Sequence, residues 1–402
     1  MSLPSIIILS LVLLKSLSFF LIIRLSLSGY GIDFVSTFSV IDSFLLMLTP
    51  LALFGFEHTG LRINTDFKSE IYNFTSKYFK ISLIITLLLL ATLFLFKIIE
   101  TPYLFVLGLL LFINILSIYT STFLRANGKI LMANFFDSIV PILLFFFLIY
   151  LLSIQAASFN FYIGWLTLKI IFCIISIIYF FKINKILSKG VETTYKSIFA
   201  IAVPILIASF SVSFINQFPV IFMDNFNDDV SIVSFKIATK FCTFFWLIQY
   251  SFYNPIIDKI PIMFKNEDYN KLSNICRKQS FESFILILFA FLFFIFFQDF
   301  LFKLISPEDN LNQNLSIILC LSILLNSTFG PMGYIYQLTN NEKTYMYIML
   351  TAFLLFVLMI YPVYLLAGSL GIAFLYLVIF LCINFILRYI LIIKTNKSFG
   401  LF

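Results

Sequence analysis

The chain has 402 residues, of which 61% are hydrophobic and only 11% charged, with a formal net charge of +7 and a mean hydropathy of +1.07. A soluble globular domain is about half apolar and about a quarter charged, so this composition excludes a soluble enzyme or binding module and describes a chain that lives in lipid. The basic excess does not indicate nucleic acid, because cationic loops facing anionic headgroups account for it.

A bilayer core about 30 Å thick takes roughly 20 apolar residues per helix, and backbone groups in lipid must bond within their own segment. Twelve runs meet that requirement in chain order: Ile6 to Leu27, Phe34 to Phe56, Ile81 to Phe96, Tyr103 to Leu124, Ile130 to Ser153, Asn160 to Phe181, Ile198 to Phe222, Val230 to Pro255, Phe281 to Phe297, Leu315 to Leu338, Tyr345 to Leu366 and Leu370 to Ile393. The third and ninth are short. The first lacks a basic leading region and carries Lys15 at its centre, so it reads as a permanent helix, not a secretory signal.

Cations alternate between gaps. Arg62, Lys68, Lys77 and Lys80 follow the second run, Arg125 and Lys129 the fourth, Lys182, Lys185, Lys189 and Lys196 the sixth. Lys259, Lys265, Lys271, Arg277 and Lys278 follow the eighth run, Lys343 the tenth, and Lys394 and Lys397 the twelfth. The other gaps hold only Lys97 and Lys303, beside the acids Asp224, Asp228 and Asp229. Short loops rich in Lys and Arg stay cytoplasmic, so both termini are expected inside.

Six cations lie within the runs. Lys15 is some nine residues into the first run, roughly 14 Å at about 1.5 Å per residue, too deep to snorkel easily; it faces a cavity or pairs with Asp42. Lys236 and Lys240 are four residues apart and share a helix face, Lys240 at mid-depth and Lys236 nearer the outer surface. Arg24 lies near the outer end of the first run, close to Asp33, as a gate or an anchor. Lys169 is deep and without an evident partner, and Arg388 is near enough to the inner end to snorkel. Ionisable groups at depth cost about 2.5–3.5 kcal/mol on insertion scales, so they mark a cavity or a partner.

Asp42 is the one carboxylate well inside a run, whereas Asp137 and Glu282 lie nearer inner ends. A buried Asp42 serves proton coupling or is neutralised by Lys15. Asn216 and Gln217, followed by Pro219, form a polar, helix-disturbing patch suited to a substrate path, a hinge or helix packing. His58, among Glu57, Arg62 and Asp66, reads as a solvated interface residue. The five scattered cysteines read as small core residues, without metal-ligand or disulfide spacing, and no cofactor or metal is expected. No gap holds a phosphate loop, a catalytic domain or a Ser/His/Asp set, which argues against an enzyme.

The gap from Lys182 to Lys196 falls at mid-chain, and the turns "RANGK" (125–129) and "QLTNNEK" (337–343) occupy corresponding places in the two halves. The expected architecture is therefore all-α, with twelve transmembrane helices in two six-helix lobes, residues 1–197 and 198–402, and a site between them.

The segments "KSLSFFLIIRLSLSGYG" (15–31), "FLRANGK" (123–129), "VSFKIATKF" (233–241), "GPMGYIYQLTNNEK" (330–343) and "AGSLGIAF" (367–374) resemble, in order and spacing, the Wzx-type oligosaccharide flippases of the MATE-like MOP superfamily. The first turn, "LSLSGYG", departs from the commoner Leu-Gly form, and "TNNEK" lacks a glycine often found there. The resemblance implies a bacterial inner-membrane protein that moves an undecaprenyl-pyrophosphate-linked oligosaccharide, an O-antigen unit or similar precursor, to the outer leaflet. It also implies association with polymerase and chain-length proteins; two internal lobes make a monomer the simplest state. Lys15, Arg24 and Lys240 lead as headgroup contacts, with Lys236 and Lys169 behind them. A multidrug or cation extruder of the same superfamily is the alternative and calls for acids at depth; a polytopic polymerase calls for a large external loop.

Overall fold

The computed structural model describes residues 3–56, 71–95, 101–126, 129–184, 195–253, 256–257, 259–305 and 311–401. Its described elements are α-helices throughout: α1 (Leu3–Tyr30), α2 (Ile32–Leu53), α3 (Ile71–Leu95), α4 (Thr101–Ala126), α5 (Ile130–Ser153), α6 (Phe159–Asn184), α7 (Tyr195–Asp224), α8 (Asp229–Tyr253), α9 (Lys259–Lys265), α10 (Tyr269–Ile305), α11 (Gln313–Asn326), α12 (Met332–Leu338) and α13 (Glu342–Thr395). Nine of the described helices are long and apolar enough to cross a membrane, and 80–94 and 313–326 are shorter apolar helices. His58 and its acidic and basic neighbours lie outside the described residues, as do 127–128 of the "RANGK" turn and 185–194 of the mid-chain gap.

Three segments differ from the sequence reading. The third run is short as an apolar stretch, 80–94, but its helix begins earlier, at Ile71, and the ninth lies within α10, which extends from Tyr269 to Ile305, 37 residues. Their polar leading turns, with Lys77 and Lys80 in one and Lys271, Arg277 and Lys278 in the other, continue the helix beyond the apolar stretch. The tenth run is broken, with α11 ending at Asn326 and α12 starting at Met332. Ser327 and Thr328 donate their hydroxyls to the carbonyls of Leu324 and Leu325, both at 2.7 Å. Gly330 adopts φ 90° and Pro331 follows. Side-chain bonding to local carbonyls, a left-handed glycine and a missing amide donor together end a helix.

The eleventh and twelfth runs join within α13, whose 54 residues are interrupted by one non-helical residue, Gly368 (φ 59°, ψ −147°). The bend is tight: a methyl on Gly371 would sit 2.7 Å from the Val363 carbonyl oxygen. It is anchored to α8, where Asp228 accepts the Tyr364 hydroxyl at 3.2 Å and Ser231 lies 3.4 Å from Ser369.

The chain divides into two compact units, Leu17–Ser213 and Met1–Ser16 with Phe214–Phe402. In the first, α4 is central and packs on α2, α3, α5 and α6 through wholly buried Leu107, Leu110 and Leu111. In the second, α11 packs on α8, α10 and α13 around Phe235, Leu319, Cys320 and Phe356. Outward faces are apolar: Phe289, Phe293, Phe296 and Phe300 form one exposed stripe on α10, Phe296 at 82% exposure. A stripe of this kind is an aggregation surface in water and an ordinary surface in hydrocarbon.

Candidate functional site

The interior of the first unit carries a directed polar chain across three helices. On α2, buried Thr49 donates its hydroxyl to the Leu45 carbonyl at 2.6 Å. Its oxygen is therefore left to accept, and Asn114 of α4 supplies the donor, Nδ2 to Thr49 Oγ1 at 3.0 Å. The Asn114 amide is thereby oriented with Oδ1 toward α6, where Lys169 Nζ donates to it at 3.2 Å. A Lys ammonium only donates, a Thr hydroxyl does both and an Asn amide has one end of each kind, so the order Lys169, Asn114, Thr49 has one consistent direction. The ammonium also lies 5.5 Å from the Trp165 ring centroid, within cation–π range. Trp165 is fixed in turn by Phe38 of α2, edge-on at 5.3 Å.

Asp42 is 4% exposed and lies seven residues before Thr49, two turns along the same face of α2, roughly 10 Å at the helical rise. Ser36, Ser39 and Ser43 are buried beside it on this helix. Further polar pairs line the same unit: Ser82 with the Tyr119 hydroxyl at 2.8 Å, and Thr120 with Ser176 at 3.0 Å. Arg24 is half-buried on α1, and Asp33 is exposed at the start of α2.

In the second unit Lys236 is 2% exposed, among the largest fully enclosed side chains. The sequence reading places it nearer the outer surface, where it could snorkel; enclosure by α8's neighbours leaves no such route. Lys240, one turn on, is half-buried, as are Lys15, Asn216 and Gln217. Phe214 and Phe218, flanking Asn216 and Gln217, stack at 4.3 Å, and Pro219 is buried. Lys15, Asp42, Lys169, Lys236 and Lys240 all have interaction partners within the structure. Lys15 and Asp42 belong to different units.

Asn114, Thr49 and Trp165 are the residues that sequence reading overlooked. Their signal was present, an amide amid the apolar fourth run, but ranking by formal charge passes over neutral polar groups. Lys169, for which no partner was evident, has one because α4 and α6 pack together. Glu282 is half-buried and pairs with Lys278 at 3.9 Å on α10; the Asp137 side chain lies outside the described residues. Cys173, Cys242, Cys276 and Cys320 are buried and Cys382 is exposed.

No protein-family profile matches the chain, and no curated protein matches it. Solved structures do. An inward-facing MATE-family multidrug resistance transporter of the MOP superfamily superposes with a TM-score of 0.70 at 12% identity, covering 98% of each chain. The chain has the MATE transporter fold. The MATE multidrug transporter DinF-BH gives a TM-score of 0.67 at 12% identity, covering 98% of this chain and 95% of that one. A MOP superfamily transporter from Pyrococcus furiosus, described as having a binding pocket of reversed polarity that suggests a different function, gives 0.65 at 12% identity, covering 98% and 94%. These neighbours are transporters, not enzymes, and with the apolar helices they mark a multi-pass membrane protein.

Proposed function

We propose that this protein is a flippase that moves an undecaprenyl-pyrophosphate-linked oligosaccharide, an O-antigen unit or a related repeat, from the cytoplasmic to the outer leaflet of a bacterial inner membrane. The observation that carries the reading is the sign of the interior charge. Lys236 is enclosed at 2% exposure, Lys169 is built into a polar chain, and Lys15, Arg24 and Lys240 are half-buried; among the described residues the buried carboxylates are Asp42, within α2, and Glu342, at the first residue of α13. A pyrophosphate needs cations, and a polyprenyl tail can stay in lipid while its headgroup passes.

In this reading twelve spans form two six-helix lobes, residues 1–197 and 198–402, with both termini in the cytoplasm. Alternating access of the lobes carries the headgroup across. Lys15, Arg24, Lys169, Lys236 and Lys240 form the cationic path, Asn216 and Gln217 a polar stretch of it, and Asp42 couples transport to an ion gradient. The protein works as a monomer alongside polymerase and chain-length proteins and takes no nucleic acid or cofactor. A cation extruder is the second reading. Buried Asp42 favours it, and the fold accommodates it equally.

The test is surface polysaccharide in a strain lacking the gene, complemented with wild type, Lys15→Ala or Lys240→Ala at matched membrane levels. The flippase reading expects loss of polymer on deletion and failure of at least one variant to restore it. Unchanged polymer together with new sensitivity to cationic drugs would establish the extruder.

A further inference from the structure

The C-terminal residues fold back onto the second unit and build a corner unrelated to the polar interior. After α13 ends at Thr395, Asn396 takes a left-handed conformation (φ 54°) and its amide closes on the Ile392 carbonyl at 2.7 Å. Phe399 is then fully buried, and the Leu401 amide bonds the Thr328 carbonyl at 2.8 Å, in the break between α11 and α12. Two arginines hold the tail: Arg388 donates through Nη2 to Ser398 Oγ at 2.9 Å, and Arg277 donates through Nε to the Gly400 carbonyl at 3.3 Å. Ser273 adds a hydroxyl bond to the Ser398 carbonyl.

Arg388 also forms the wall of a cavity of about 550 Å³, otherwise lined almost wholly by apolar groups including Leu381, Phe385 and Ile392. Phe385 is 64% exposed, so the cavity opens on the outward face of the helix, among side chains that contact hydrocarbon. A guanidinium carries five N–H donors, and among the described residues Arg388 uses one in a hydrogen bond and makes no ion pair. Arg277, on Gly400 two residues from the Ser398 that Arg388 holds, is near enough for the two charges to repel, and it too has no carboxylate partner among the described residues. Two cations that meet no carboxylate among the described residues, at the end of an apolar groove open to lipid, are complementary to a molecule with an anionic head and an acyl chain.

We infer that this groove binds an anionic phospholipid, its phosphate on Arg388 and an acyl chain along Leu381 and Phe385. The inference depends on neither the transported substrate nor the direction of transport. Occupancy would brace the tail against the α11–α12 break, since the same Arg388 holds Ser398.

The experiment is native mass spectrometry of the full-length purified protein, with phosphatidylglycerol, phosphatidylcholine or diacylglycerol of identical chains added in turn. Wild type is expected to retain phosphatidylglycerol at least fivefold better than the other two, and millimolar inorganic phosphate should not displace it. Arg388→Gln should abolish the preference, Arg388→Lys should keep most of it, and Lys303→Gln, an exposed cation elsewhere on α10, should leave it unchanged. Leu381→Trp, which fills the groove without touching the charge, should reduce retention at least threefold and decides the matter if Arg388→Gln cannot be purified. Equal retention of the three lipids, displacement by phosphate alone, undiminished retention in Leu381→Trp or an undiminished preference in Arg388→Gln would overturn the inference.

Discussion

Asn114 is the residue on which the interior of the first unit turns, because its amide accepts from Lys169 and donates to Thr49. Asn114→Leu removes both the acceptor that Lys169 uses and the donor to buried Thr49, and a lost buried hydrogen bond costs about 1–3 kcal/mol. We expect a lower melting temperature in detergent together with at least a fivefold loss of transport. Asn114→Asp, which keeps the acceptor, should retain the fold. Lys236→Met keeps the apolar stem and removes only the ammonium; if the enclosed charge serves transport, the protein folds and transport falls at least tenfold. Wild-type transport in Lys236→Met would assign that charge to packing alone. Gly330 is constrained twice, by φ 90° and by the Phe399 carbonyl oxygen, which an added methyl would overlap. Gly330→Ala should therefore lose about 1–3 kcal/mol. Gly333→Ala, whose added methyl would lie 3.4 Å from the Tyr345 hydroxyl, should be nearly neutral.

Among the elements, the breaks carry more information than the spans. Each apolar run read from the sequence coincides with helix over its described residues except the tenth and the last few residues of the second, where Phe54 and Gly55 turn at positive φ, because twenty apolar residues in lipid can satisfy their backbone in no other local way. The break at 327–331 was illegible: it depends on Ser327, Thr328 and a tail that returns from some seventy residues away to bond the Thr328 carbonyl. The "AGSLGIAF" turn was legible as a turn, from its two glycines, but not as a single-residue bend. Gly371→Ala should open that bend, since the Val363 carbonyl is backbone and cannot swing aside, and would lower thermal stability more than Gly108→Ala. The neighbours of Gly108 are the ends of the Leu90 side chain, which can move. The site was half legible. Charged residues announce themselves by their cost in lipid, but whether Lys236 or Lys240 is the enclosed one depends on which α8 face packs on α10 and α11.

The whole molecule combines the MATE fold with spans that, among the described residues, enclose Lys236 and half-bury Lys15, Arg24, Lys169 and Lys240. Orientation is testable without any substrate. Asn225→Cys, in the exposed turn after α7, should react with an impermeant maleimide in intact cells, whereas Lys397→Cys should react only after permeabilisation; the reverse pattern would place the termini outside. The measurement that bears most directly on function is leaflet transfer in reconstituted vesicles, loaded either with an undecaprenyl-pyrophosphate-linked oligosaccharide or with a cationic dye. Wild type is expected to transfer the oligosaccharide lipid and not to move the dye, and Lys169→Ala combined with Lys236→Met to slow transfer at least tenfold. Dye extrusion that depends on Asp42, with no transfer of the oligosaccharide lipid, would contradict the flippase reading.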